Sequence, residues 1–137
     1  MLDYVDSSVY LRILLAQPGA MILPAGLAQC TGSITRLEIS RLLYRLLSKG
    51  KLAEAELRRA FQALDALLSG VSIVPCDSAI LESAAAPLAE PLGALDAIHL
   101  AGALRAKHSQ GQPVRLRTHS VELAIAARAA GLEAITQ

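Results

Sequence analysis

The sequence predicts an α/β fold in which a mostly parallel sheet is flanked by helices. Short apolar runs alternate with longer stretches of helical periodicity, the pattern of strand–helix–strand units. The chain has 137 residues, the length of one domain, and no internal repeat or low-complexity linker divides it. Hydrophobic residues make up 53% of it, enough to build a substantial core.

Residues 2–5 read as the first strand, closed by Asp6-Ser7-Ser8. A helix over about 8–16 follows, and Pro18-Gly19 stops it. Within 21–30, Pro24 is a candidate start for a short helix. Residues 31–34 read as a short second strand. A long helix is predicted over 35–48, with Leu37, Leu42, Leu43, Leu46 and Leu47 on its apolar face and Gly50 just past its end. The next helix, 53–68, turns Leu57, Phe61, Leu64, Leu67 and Leu68 inward and breaks at Ser69-Gly70. Val71 to Val74 is the third strand, and 78–88 is helical up to a turn near Pro91. From Leu95 to Lys107 runs an almost wholly apolar helix, which must be largely buried. After the loop at 110–113, Val114 to Arg117 forms a fourth strand. A helix over 120–130 follows, with Gly131 as its C-cap, and 132–135 adds a short fifth strand.

The composition excludes several functions. A net charge of +1 rules out a strongly basic coat for nucleic acid, although a bound metal can supply positive charge that side chains do not. Three Tyr, one Phe and no Trp leave few platforms for stacking single-stranded bases. Any RNA contact would therefore go mainly through backbone, metal and Arg. Only Lys49, Lys51 and Lys107 are lysines in a Lys-plus-Arg total of 13, a bias that suits bidentate phosphate contacts but also follows from genome composition. Cys30 and Cys76 are isolated, so a zinc site is not expected and both thiols read as free. The N-terminal segment is acidic where a signal peptide is basic, and no apolar run reaches membrane-spanning length. A cytoplasmic protein without membrane contact is expected.

Three acids fall where a parallel sheet builds its sites. Asp6 ends the first strand, Glu38 lies one turn into the helix after the second, and Asp96 opens the buried helix. Ligands of open α/β sheets bind beyond the carboxyl ends of the strands, so the three can share one rim. Clustered carboxylates repel unless they bind protons or a cation, and Mg²⁺ and Mn²⁺ prefer such hard oxygen ligands. Each acid also has a purely structural reading. Asp6 could cap the following helix. Thr35-Arg36-Leu37-Glu38 fits a capping box with Thr35 as N-cap. Asp96 could serve the dipole of its helix. Spacing alone leaves these alternatives open.

Four segments, in order, resemble those of the PIN-domain family. Val5-Asp6-Ser7-Ser8-Val9-Tyr10-Leu11 is similar to its opening strand and Asp, and Ser33 to Glu38 to its Ser-x4-Glu segment. Leu95-Asp96-Ala97-Ile98-His99-Leu100-Ala101 closely resembles its LDAxHLA segment. Thr118-His119-Ser120, followed by Leu123 to Ala127 and Gly131-Leu132, resembles its closing T-x-D-x-x-L…AA…GL pattern. The resemblance implies a three-layer α/β/α fold with a sheet of four to five strands in a single domain over 1–137. It also implies a Mg²⁺- or Mn²⁺-dependent RNA endonuclease that hydrolyses phosphodiesters with a metal-bound water. Asp6, Glu38 and Asp96 would be its catalytic and metal-binding acids, and Ser8 would line their pocket.

The short length favours the VapC-type toxin branch, in which a homodimer is inhibited by a cognate VapB-type antitoxin. One departure stands out: Ser120 occupies the place of a fourth Asp, which leaves the number of metals open. Its structural role would be the N-cap of the last helix. Arg117 and His119 beside it are candidates for RNA phosphate, and Arg36, Arg41 and Arg45 for phosphate or an acidic partner. His99 reads as a packed, hydrogen-bonded residue outside the catalytic set, and Asp3, near the strand start, is also left outside. Asp77 reads as a helix cap. The competing function is a catalytically weakened PIN-like module that binds antitoxin or RNA. A phosphoryl-receiving switch would need a Lys at the rim, whereas all three lysines fall at or after helix ends.

Overall fold

Five strands, all parallel to their neighbours, make one sheet in the order β3-β2-β1-β4-β5. The computed structural model describes residues 1–137. In chain order the elements are β1 (Leu2–Val5), α1 (Ser7–Leu14), β2 (Gln29–Gly32), α2 (Ile34–Ser48), α3 (Glu54–Leu68) and β3 (Ser72–Val74). They continue as α4 (Ser78–Ala84), α5 (Ala94–Gln110), β4 (Val114–Arg117), α6 (Val121–Ala129) and β5 (Glu133–Ile135).

Side-chain alternation along β1 builds two cores. Leu2 and Tyr4 pack with Leu100, Ala103, Ala106, Leu123 and Ala127 of α5 and α6. Val5, on the other face, joins Val9, Tyr10, Ile39, Leu43 and Leu64 of α1, α2 and α3. The predicted three layers are therefore present, with every residue of the central strand buried.

A buried ion pair interrupts the apolar pattern of the second face. Asp3, fully buried, accepts from Arg115 Nε at 3.0 Å and from the buried Arg117. Arg117 also reaches the sulfur of Met21 at 3.6 Å. Its guanidinium is thus committed to the interior, and the phosphate contact suggested by its sequence position is not the one it makes.

Several expectations shift. Pro24 begins a turn, closed by Leu27 N–H on its carbonyl at 3.3 Å, and starts no helix. The second strand lies at Gln29–Gly32, ahead of 31–34, because Asp3 and Tyr4 pair with Gln29 and Cys30. Leu37 is 60% exposed, and α2 buries Thr35, Ile39 and Leu43 instead, an i, i+4, i+8 stripe. Helix α4 ends at Ala84, short of 88 and ahead of Pro87. Helix α5 runs on to Gln110 and stops where Gly111 adopts a left-handed φ of 61°.

The strand order places the site. From β1 the chain winds outward through β2 and β3, then returns to the opposite side of β1 for β4 and β5. The direction of winding reverses between β1 and β4, and the carboxyl ends of such a pair border a crevice. Asp6 follows β1 there, and Thr118 follows β4.

Candidate active site

Asp6 is buried at this switch point and serves as N-cap of α1, so its structural reading holds. Its Oδ1 accepts from Ser8 N at 3.0 Å, Ser8 Oγ at 2.5 Å and Val9 N at 3.4 Å. Its Oδ2 accepts from Thr118 Oγ1 at 2.5 Å, a bond that ties β1 to the end of β4. Burial pushes its carboxyl above the ordinary 3.8, against the lowering effect of the Ser8 and Thr118 hydroxyls.

The capping-box reading of Glu38 fails. Helix α2 begins at Ile34, and the Thr35 hydroxyl stands 2.7 Å from that of Thr31 rather than capping the helix. Glu38 instead points across to α5, with Oε1 2.7 Å from His99 Nε2, while Oε2 accepts from Ser7 Oγ at 3.0 Å. His99 is 1% exposed, and its Nδ1 lies 2.8 Å from the Tyr4 hydroxyl. It is packed and hydrogen-bonded as the sequence suggested, but its link to Glu38 was not legible there.

Asp96 sits in the first turn of α5, and its Oδ2 accepts from Ser120 Oγ at 2.8 Å. Ser120 also caps α6 through Leu123 N at 3.2 Å, so the expected N-cap is present. The Ser120 backbone N–H donates to Thr118 Oγ1 at 2.9 Å. One chain of hydrogen bonds thus runs from Asp6 through Thr118 and Ser120 to Asp96. Ser8 extends it, accepting from His119 N at 3.0 Å.

Glu38 and Asp96 share the wall of an open cleft of about 540 Å³ with Ser7, Ser8, Arg41 and Arg45. Arg36 points elsewhere, to Asp65 at 2.8 Å, and Asp77 caps α4 and pairs with Arg105. His119 Nε2 is buried without a partner.

Asp6 and Asp96 therefore share one hydrogen-bond network, and Glu38 and Asp96 one cleft, but no three His, Cys, Asp or Glu side chains converge into a ready-made ion cage. The donor set still fits Mg²⁺ or Mn²⁺. It is all oxygen, Oδ1 of Asp96 takes no protein hydrogen bond, and Mg²⁺ commonly binds through one or two carboxylates while keeping its waters.

Residues 4–109 match the PIN domain family, so the chain belongs to that family. PIN domains are generally metal-dependent nucleases. Asp6, Glu38 and Asp96 lie inside the matched stretch, whereas Thr118 and Ser120 lie beyond it. No curated protein matches the chain. No helix is long and apolar enough to cross a membrane.

Proposed function

We propose that this protein is a Mg²⁺- or Mn²⁺-dependent RNA endonuclease that acts as the toxin of a VapBC-type toxin–antitoxin pair. The observation that carries the reading is the cleft between α1, α2 and α5, where Glu38 and Asp96 stand beside Arg41 and Arg45. Acids for a cation and guanidiniums for phosphate are the two chemistries that phosphodiester cleavage needs side by side.

Asp6, Glu38 and Asp96 would hold the cation. When bound, it supplies positive charge at the scissile phosphate and lowers the pKa of a water. Arg41 and Arg45 bind RNA phosphates along the wall. Ser8 and Thr118 fix the Asp6 carboxylate, and Ser120 fixes Asp96 by one oxygen, so that Oδ1 would be free for the cation. The water oxygen would bond to phosphorus as one P–O ester bond breaks, and the departing ribose oxygen would take a proton from solvent. Leu37 and Leu95, 60% and 50% exposed, line the same cleft and offer apolar contacts to a VapB-type antitoxin that would cover it. A homodimer is the form that the family resemblance leads us to expect.

A second reading, a PIN-like binding module with a weakened nuclease site, draws on the absent ion cage and on Ser120. Incubating total cellular RNA with the purified protein separates the two. Discrete fragments with Mg²⁺ or Mn²⁺, lost with EDTA and with a folded Asp96→Asn variant, are expected. Intact RNA under every condition would leave the binding module.

A further inference from the structure

Tyr4, His99 and Glu38 form a buried relay that ends on an acid of the cleft. Tyr4 OH lies 2.8 Å from His99 Nδ1, and His99 Nε2 lies 2.7 Å from Glu38 Oε1. The tyrosine and imidazole rings meet edge-on, with centroids 5.8 Å apart and planes at 72°. Bond polarity follows from the ends of the chain. A carboxylate only accepts, so Nε2 carries the hydrogen. With the hydrogen on Nε2, a phenol O–H donating to Nδ1 satisfies both partners of the ring at once.

The phenol has been given its place by two glycines. A Cβ on Gly32, at the end of β2, would stand 2.7 Å from the Tyr4 hydroxyl. One on Gly102, inside α5, would stand 3.0 Å from the same oxygen and 3.1 Å from the ring. A glycine inside a helix is less favourable than alanine. That cost is accepted here so that β1, β2 and α5 can close around one hydroxyl. A histidine needed only for packing could spend its N–H on any backbone carbonyl. This one directs it at Glu38, whose side chain is 18% exposed and lines the cleft.

We propose that His99, held by Tyr4 as its Nε2–H tautomer, is a positioning residue that fixes the Glu38 carboxylate toward the divalent cation. The proposal rests on the nuclease reading above. His99 and Ser7 each hold one oxygen of Glu38, so the carboxylate is oriented before any cation arrives. Partners that orient a metal-binding group in this way typically set affinity or activity by tenfold to a hundredfold.

Two measurements on the whole protein test this. The first is the ¹⁵N NMR spectrum of the imidazoles, assigned with a His99→Gln variant. It should show His99 protonated at Nε2 and bare at Nδ1, and Tyr4→Phe should let the other tautomer appear. The second is a calorimetric titration with Mn²⁺ alone, without RNA. Tyr4→Phe and His99→Ala should weaken binding about tenfold to a hundredfold. His99→Gln should recover most of it, because its amide can donate to Glu38. Unfolding of His99→Ala would leave Tyr4→Phe and His99→Gln to carry the comparison. An Nδ1–H tautomer in the native protein overturns the proposal, as does unchanged Mn²⁺ affinity in folded Tyr4→Phe and His99→Ala. In either case, metal-dependent cleavage that Asp96→Asn abolishes would leave the nuclease reading standing. A native protein that binds no Mn²⁺ overturns the proposal together with that reading.

Discussion

Asp6 caps a helix and also keeps a carboxylate in the interior, and the two tasks act on stability in opposite directions. The cap bonds to Ser8 and Val9 favour the fold, whereas burial of the charge opposes it and raises the Asp6 pKa. The folded protein therefore holds this proton more tightly than the unfolded chain. The stabilising contribution of the neutral carboxyl is full below the ordinary value of 3.8 and is lost as pH rises through the raised folded value. Metal-free protein should thus be less stable at pH 7 than Asp6→Asn, and Mn²⁺ should stabilise only the native chain. Thermal melts with and without Mn²⁺ check both statements, and a less stable Asp6→Asn would contradict the first. Ser120→Asp should behave in the same sense. Asp keeps the α6 cap but puts a second charge against Asp96 in place of a donor, so metal-free stability should fall and Mn²⁺ affinity should rise. Asp3 is the contrasting acid, because its charge is answered by Arg115 and Arg117. Asp3→Ala should cost about 3–5 kcal/mol in a urea titration, since it strands the buried Arg117 cation.

At the scale of elements, β1 and α5 position nearly everything. Gly102→Ala tests their packing. Alanine is the better helix former by about 1 kcal/mol. Its Cβ, however, would meet the fully buried Tyr4 ring at 3.0 to 3.3 Å, and overpacking a rigid ring costs about 1–3 kcal/mol. A net loss of stability is expected, with weaker Mn²⁺ binding because Tyr4 is displaced from His99. A stabilised variant would show that the slot has slack. The sequence made most elements legible: β1, β3 and β4, the Ser120 cap and the burial of α5 all follow from periodicity and from Gly, Pro and Ser punctuation. It misplaced β2 by two residues because Gln29 is not an apolar strand residue, and its place is set by pairing with β1. It gave Leu37 to the core because five leucines obscured which stripe faces inward, and Ile39 decided it. Glu38 matched a capping box by spacing, and only the approach of α5, 61 positions away, shows where its carboxylate goes.

At the scale of the molecule, the acids meet at one rim because the winding reverses between β1 and β4. Strand order is a property of non-local pairing, so local patterns could suggest a parallel sheet without giving its order. A second opening, of about 730 Å³, is lined by His119 together with Arg12, Met21 and Val121. Arg41→Ala with Arg45→Ala should raise KM for RNA about tenfold or more and leave Mn²⁺ affinity unchanged, as phosphate contacts contribute binding rather than chemistry.

The most direct test of the central claim is a titration of Mn²⁺ into EDTA-stripped protein while cleavage of one end-labelled RNA is followed. The account predicts a rate that rises from zero and saturates in the native chain and stays flat in folded Asp6→Asn, Glu38→Gln and Asp96→Asn. Cleavage that persists in EDTA, or that survives in all three variants, would contradict it.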